Sequence, residues 1–236
     1  MTPAINCTHT RGFGVLGFWG FGDKWNTWVK KSKHITHGRM TYKGQKMSSR
    51  LGGVPLALET IDTVCEEVRK RAGDKIAHLN EEEKSKLEKD IALSSLRIAV
   101  LRSKPGLNID FDPDMSLSFE GDSGPYLMYT HARCCSLLEK GKDVIPCFGN
   151  FEKSELEWRL HSFELLLKES IEEIAPQKLV TYLFSVAQEF NSFYGNTQII
   201  SEDKIKTAHY LKITESVKDV LNTGLYILGI QAPERM

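Results

Sequence analysis

The sequence predicts a mainly α-helical protein whose C-terminal half is a helical bundle. Three observations carry this. After Pro55, apolar residues recur at the three- and four-residue spacing of a helix face. Helix-start signals precede the runs: Asn80 before three glutamates, Ser154 three residues ahead of Glu157, and Pro125 after Asp122 and Ser123. Only "LNIDFDPDMSLSFEG" (107–121) alternates like a strand.

Residues 1–33 fit neither period; "RGFGVLGFWGFGDKW" mixes glycine with aromatics. "HITHGRMTYK" (34–43) reads as a short strand or strand end leading into a loop. "LETIDTVCEEVRKRA" then sets Leu58, Ile61, Val64, Cys65 and Val68 on one stripe. Asn80 caps a helix with Glu81, Glu82 and Glu83 in its first turn, where acids favour the dipole, and Pro105-Gly106 ends it. The alternating stretch is a connector. Pro125 opens the next helix, "PYLMYTHARCCSLLEK". Ser154 and Glu157 form a capping box for one helix over "SELEWRLHSFELLLKESIEEIA". After Pro176, Leu179, Val180, Leu183, Phe184, Ala187 and Phe190 share a face. The last helix, 202–228, carries Ile205, Leu211, Val217, Val220, Leu221, Leu225 and Leu228, and Gly229 stops it. There is no internal repeat.

The 236 residues suffice for one or two domains, and 41% hydrophobic with 26% charged residues excludes a disordered chain. No apolar run reaches the roughly 18 residues of a membrane span, and no signal-peptide pattern opens the chain. Five cysteines without a CxxC suit a reducing cytosol. Net charge is zero but uneven: residues 1–50 hold nine Lys/Arg against one acid, Asp23. A basic segment beside an acidic body points to an anionic ligand on the N-terminal side.

"GQKMSSRLGG" (44–53) sharpens this. Two cations, Lys46 and Arg50, flank two hydroxyls, Ser48 and Ser49, with glycines on both sides. Those are the parts of a mobile loop that closes on phosphate, or of a basic surface turn. Other motifs carry less. Asp110, Asp112 and Asp114 begin like a calcium loop, but Met115 and Gly121 stand where Gly and Glu are required. "GDSGP" (121–125) starts a helix rather than a protease nucleophile segment. His34 and His37 lack a third ligand, so no metal site is expected.

Several stretches together resemble arginyl-tRNA synthetases, class I enzymes that join arginine to its tRNA. "HITHGRMTYKGQKMSSRLGG" is similar to the family's strand and its version of the KMSKS loop. "NIDFDPDMSLSFEGDSGPYLMYTHAR" is similar to its junction between catalytic and anticodon-binding domains. "YLFSVAQEFNSFYGN" resembles its anticodon-binding helix, and "LGIQAPERM" its C-terminus. The likeness runs from about His34 to Met236; GPYxxYxHAR and the terminal APERM make it specific.

The resemblance implies an α-helical anticodon-binding domain at 113–236, preceded at 1–112 by the C-terminal remnant of a Rossmann-type catalytic domain. It implies ATP, with magnesium as counter-ion, and tRNA(Arg) and arginine as partners of a cytoplasmic monomer. Lys46, Met47, Ser48, Ser49 and Arg50 would be the catalytic loop over the triphosphate. His37, Gly38 and Met40, with Lys46 and Arg50, would line the ATP site. Asn191, Tyr194 and Met236 would lie nearest the anticodon bases. In this sequence Ser49 replaces the signature's second lysine, Met128 stands where many members carry Gln, and no His-x-Gly-His occurs. Three readings stay open: an arginine–tRNA ligase as a partial chain, a non-catalytic tRNA-binding module, and a helical interaction protein without a nucleic-acid role.

Overall fold

The computed structural model describes residues 32–46, 57–72, 80–118, 121–145, 149 and 151–236. The Gly/aromatic stretch at 1–31, the loop residues 47–50 and the glycines at 52 and 53 lie outside the described residues. His37–Met236 form one compact unit, and the sequence-expected division near residue 112 falls within it.

Its N-terminal edge is a small sheet. β1 (Met40–Tyr42) and β2 (Gln45–Lys46) form an antiparallel hairpin, and β1 pairs in parallel with β3 (Ile109–Phe111). The connector expected to be strand-like therefore supplies a real strand, followed by the one-turn helix α3 (Pro113–Ser116). Between hairpin and β3 run α1 (Ala57–Ala72) and α2 (Glu81–Leu101), which pack on each other. Val64 and Val68 bury the apolar stripe of α1. Arg69 grips buried Glu88 of α2 with two nitrogens, at 2.9 and 3.1 Å, so the one carboxylate this contact buries is paired.

The bundle comprises α4 (Gly124–Lys140), α5 (Glu155–His161), α6 (Phe163–Glu172), α7 (Pro176–Asn196) and α8 (Lys204–Ile227). Every expected face residue of α7 is buried, from Leu179 to Phe190. On α8, Leu211, Val217, Leu221 and Leu225 are buried, whereas Ile205 at its first turn is exposed. The two helices approach closely at Gly224, where a Cβ would stand 2.5 Å from Leu183 Cδ2. α2 packs against α4 and α7, so the bundle and the sheet edge share one core.

The caps follow the sequence. Asn80 accepts from Glu83 N–H at 2.9 Å while Glu83 accepts from Asn80 N–H, a capping box. Ser154 and Glu157 form another, and Ser123 rather than Asp122 caps α4, accepting from Tyr126 N–H. Gly229, at φ 73°, ends α8. One helix differs: 154–175 is not continuous but breaks at Ser162. The Arg159 carbonyl, which an unbroken helix would offer to residue 163, is taken by Ser162 N–H, Ser162 Oγ and Tyr182 Oη of α7. A tertiary donor competes here with the helix ladder and turns it.

Beyond α8 the chain stays attached. Ile230 is buried, and Gly229 and Pro233 carbonyls accept from Arg97 and from His131 Nδ1.

Candidate nucleic-acid interface

α4 and α7 run side by side and present one polar, aromatic face. Tyr126, Tyr129, Thr130 and Arg133 lie three or four residues apart on α4, and Asn191 and Tyr194 do so on α7. The Arg133 guanidinium sits between two rings, its Cζ 4.8 Å from the centroid of Tyr129 and 4.7 Å from that of Tyr194. This is cation–π geometry. Both tyrosines stay open to solvent, 40% and 41% exposed. Asn191 holds the cluster from below. Its Oδ1 accepts from Arg133, and its Nδ2 donates to Tyr126 Oη at 2.9 Å and Thr130 Oγ1 at 3.0 Å. The Asn191 amide is thus committed to protein partners, while Tyr194 has an accessible ring. Arg159 of α5 braces the other side of α7, donating to Glu189 at 2.6 Å.

Met236 is half-buried against the core. The tail carrying it is tied to α4 by His131, whose imidazole is depressed below its usual range, chiefly by burial and against the pull of the Pro233 hydrogen bond. Met128 is fully buried beneath the α4 face.

The second group of expected site residues lies at the sheet. His37 is exposed, its Nδ1 2.9 Å from Gly38 O. A Cβ on Gly38 would stand 2.1 Å from the Leu107 carbonyl, so the backbone before β1 runs hard against the approach to β3. Met40 packs partly buried at the start of β1. Lys46 is the last described residue of β2. The structure places Met40 on the central strand β1, His37 and Gly38 on the segment leading into it, and Lys46 on the neighbouring strand β2, and it brings Asn191 and Tyr194 onto one helix face.

Tyr129 and Arg133 were not singled out by the sequence reading. Their signal was present: both fall within the GPYxxYxHAR motif, one turn apart.

The family model of the DALR anticodon binding domain matches residues 127–236, the span that holds this face. This span is therefore similar to a DALR anticodon-binding domain. The described chain around it is homologous to the C-terminal region of arginyl-tRNA synthetases. It is 32% identical over 214 residues to arginine–tRNA ligase 1 of Bacillus cereus, covering 89% of this chain and 38% of that protein. It is 30% identical to arginine–tRNA ligase of Thermoplasma acidophilum, over 84% of this chain and 37% of that one. The structure of Thermus thermophilus arginyl-tRNA synthetase superposes with a TM-score of 0.74 at 27% identity, covering 88% of this chain and 36% of that chain. The chain thus spans under two-fifths of the length of these relatives. The DALR match covers the bundle from the first turn of α4 onward. Among the described residues, no helix is long and apolar enough to cross a membrane.

Proposed function

We propose that this chain supplies the anticodon-binding and phosphate-loop functions of an arginine–tRNA ligase, which forms arginyl-adenylate from ATP and arginine and transfers the arginyl group to tRNA(Arg). The observation that carries the reading is the exposed Tyr129–Arg133–Tyr194 stack within the DALR domain. Unpaired anticodon-loop bases are held by stacking on aromatic rings and guanidinium planes. One face of the Tyr194 ring is covered by Arg133, and the residue remains 41% exposed, which leaves room for a base. Asn191 acts as the strut that aims Arg133, and Met236 lies on the tail held by His131.

The loop at 46–50 has the donor set a triphosphate needs: two fixed cations and two hydroxyls on a backbone flanked by glycine. In phosphoryl chemistry such groups position the oxygens and balance developing charge. Magnesium bound with ATP would supply positive charge against the phosphates, beside that of Lys46 and Arg50. In this reading the nucleotide lies beside His37, Gly38 and Met40, at the start of the central strand β1. The division at residue 112 is then one of function, with ATP handled before it and tRNA after it.

A second reading is a tRNA-binding module without catalysis, favoured by a family match that takes in the stacked face at 127–236 and not the loop at 46–50. One binding measurement tests what both share. Affinity for tRNA(Arg) should exceed that for the same tRNA with a swapped anticodon, at one fixed salt concentration. Equal affinity for the two would remove the anticodon assignment.

A further inference from the structure

We propose that Gly195, in the last turn of α7, is where the RNA strand comes directly against the helix: the nucleotide whose base stacks on Tyr194 passes its own backbone over bare protein backbone there. The inference rests on the reading of the Tyr129–Arg133–Tyr194 face as an anticodon site and adds a contact that no side chain makes.

Glycine is a costly choice at this position, because within a helix it is less stable than alanine. A left-handed backbone angle or a neighbour too close for a Cβ would justify it. Neither applies. Gly195 is not among the positive-φ glycines, unlike Gly229. A Cβ built on it would meet nothing within 4 Å among the described residues. The other glycines of the bundle helices do have such a neighbour. A Cβ at Gly124 would stand 2.7 Å from the Ser94 carbonyl carbon, and one at Gly224 would stand 2.5 Å from Leu183 Cδ2. The fold thus gives Gly195 no internal reason, and close approach from outside is the one that remains.

Its place agrees with that. Gly195 follows Tyr194 and stands one turn after Asn191, on the side of α7 that Asn191 turns toward α4. Ser192, Tyr194, Gly195 and Asn196 are all exposed. Residues 191–201 contain no Asp, Glu, Lys or Arg, in a chain that is 26% charged. An exposed helix end without carboxylates does not repel a polyanion, and without long side chains it leaves the strand room to reach the stacking ring.

Fluorescence anisotropy with labelled tRNA(Arg), at one fixed salt concentration, tests the contact. Gly195→Ala should bind a few-fold more weakly than wild type and Gly195→Leu at least about tenfold more weakly, because the added side chain takes the room of the strand. Alanine and leucine are better helix formers than glycine, so Tm should stay level or rise. Weaker binding without a lower Tm separates a lost contact from a damaged fold. Thr181→Leu, at another exposed site on α7, should bind as wild type does. Wild-type affinity in Gly195→Leu, an equal loss in Thr181→Leu, or a loss that comes with a lowered Tm would overturn the proposal. The same tRNA with a swapped anticodon tells the two levels apart. If wild type prefers the native anticodon while Gly195→Leu binds just as well, the anticodon reading stands and the Gly195 contact falls. If wild type shows no preference, both fall together.

Discussion

Replacing Tyr194 by alanine separates a base platform from a packing residue, because the structure assigns the two roles different magnitudes. Tyr194 is 41% exposed, and its ring packs on the Arg133 guanidinium at 4.7 Å. A cation–π contact at such an exposed site is worth about 0.5–1 kcal/mol. Arg133 keeps Tyr129 and Asn191 after the change. The fold should therefore lose no more than about 1 kcal/mol, a shift of roughly 2–4 °C in Tm for a chain of this size. Stacking of one base is worth roughly 1–3 kcal/mol, so tRNA affinity should fall about 5- to 150-fold. Tyr194→Phe keeps the ring and should bind within a few-fold of wild type. Fluorescence anisotropy with labelled tRNA at fixed ionic strength, alongside thermal melts, reads both quantities. An alanine variant with a lowered Tm and wild-type affinity would show that the ring only packs against Arg133, and the stacking argument would fall.

Four further outcomes are expected. Gly224→Ala puts a methyl 2.5 Å from Leu183 Cδ2, so overpacking of about 1–3 kcal/mol should outweigh the about 1 kcal/mol that alanine gains over glycine inside a helix and lower stability in urea melts; a stabilised variant would mean that Leu183 moves freely out of the way. His131 is depressed mainly by burial, so its contribution to stability is complete above the unfolded value near 6.5 and is lost as pH falls from there through the lower folded value. Tm should accordingly drop between pH 7 and 5.5, and more steeply than in His131→Asn; equal slopes would remove His131 as the cause. Pyrophosphate exchange with arginine, ATP and tRNA should be absent from the purified chain, since no His-x-Gly-His is present and a single lost transition-state donor already costs on the order of 10²–10³ in rate; robust exchange would refute this. Lys46→Ala within an active arginine–tRNA ligase carrying this loop should lower kcat far more than it raises KM for arginine, and a change in KM alone would reduce Lys46 to a surface lysine.

The helices, their caps and their buried faces were legible in the sequence because they rest on contacts within one or two turns. Asn80 and Glu83, Ser154 and Glu157, and the apolar ladder from Leu179 to Phe190 each act inside their own helix, so spacing alone exposes them. Their three-residue spacing likewise sets Asn191 and Tyr194 on one face, and motif likeness alone assigns that face to the anticodon. What spacing could not show is where a side chain spends its hydrogen bonds when the partner comes from far along the chain. Asn191 faces inward because Tyr126, Thr130 and Arg133 lie some sixty residues earlier, on a helix that only packing brings beside it. Ser162 breaks a helix that local propensity would continue, because Tyr182 reaches the Arg159 carbonyl. Asp110, Asp112 and Asp114 look like one acidic motif in the sequence and have three separate partners in the fold: the hairpin turn, the start of α3, and Lys43. Their roles were set when β3 paired with β1 across about seventy residues, a register that neither strand's own sequence specifies.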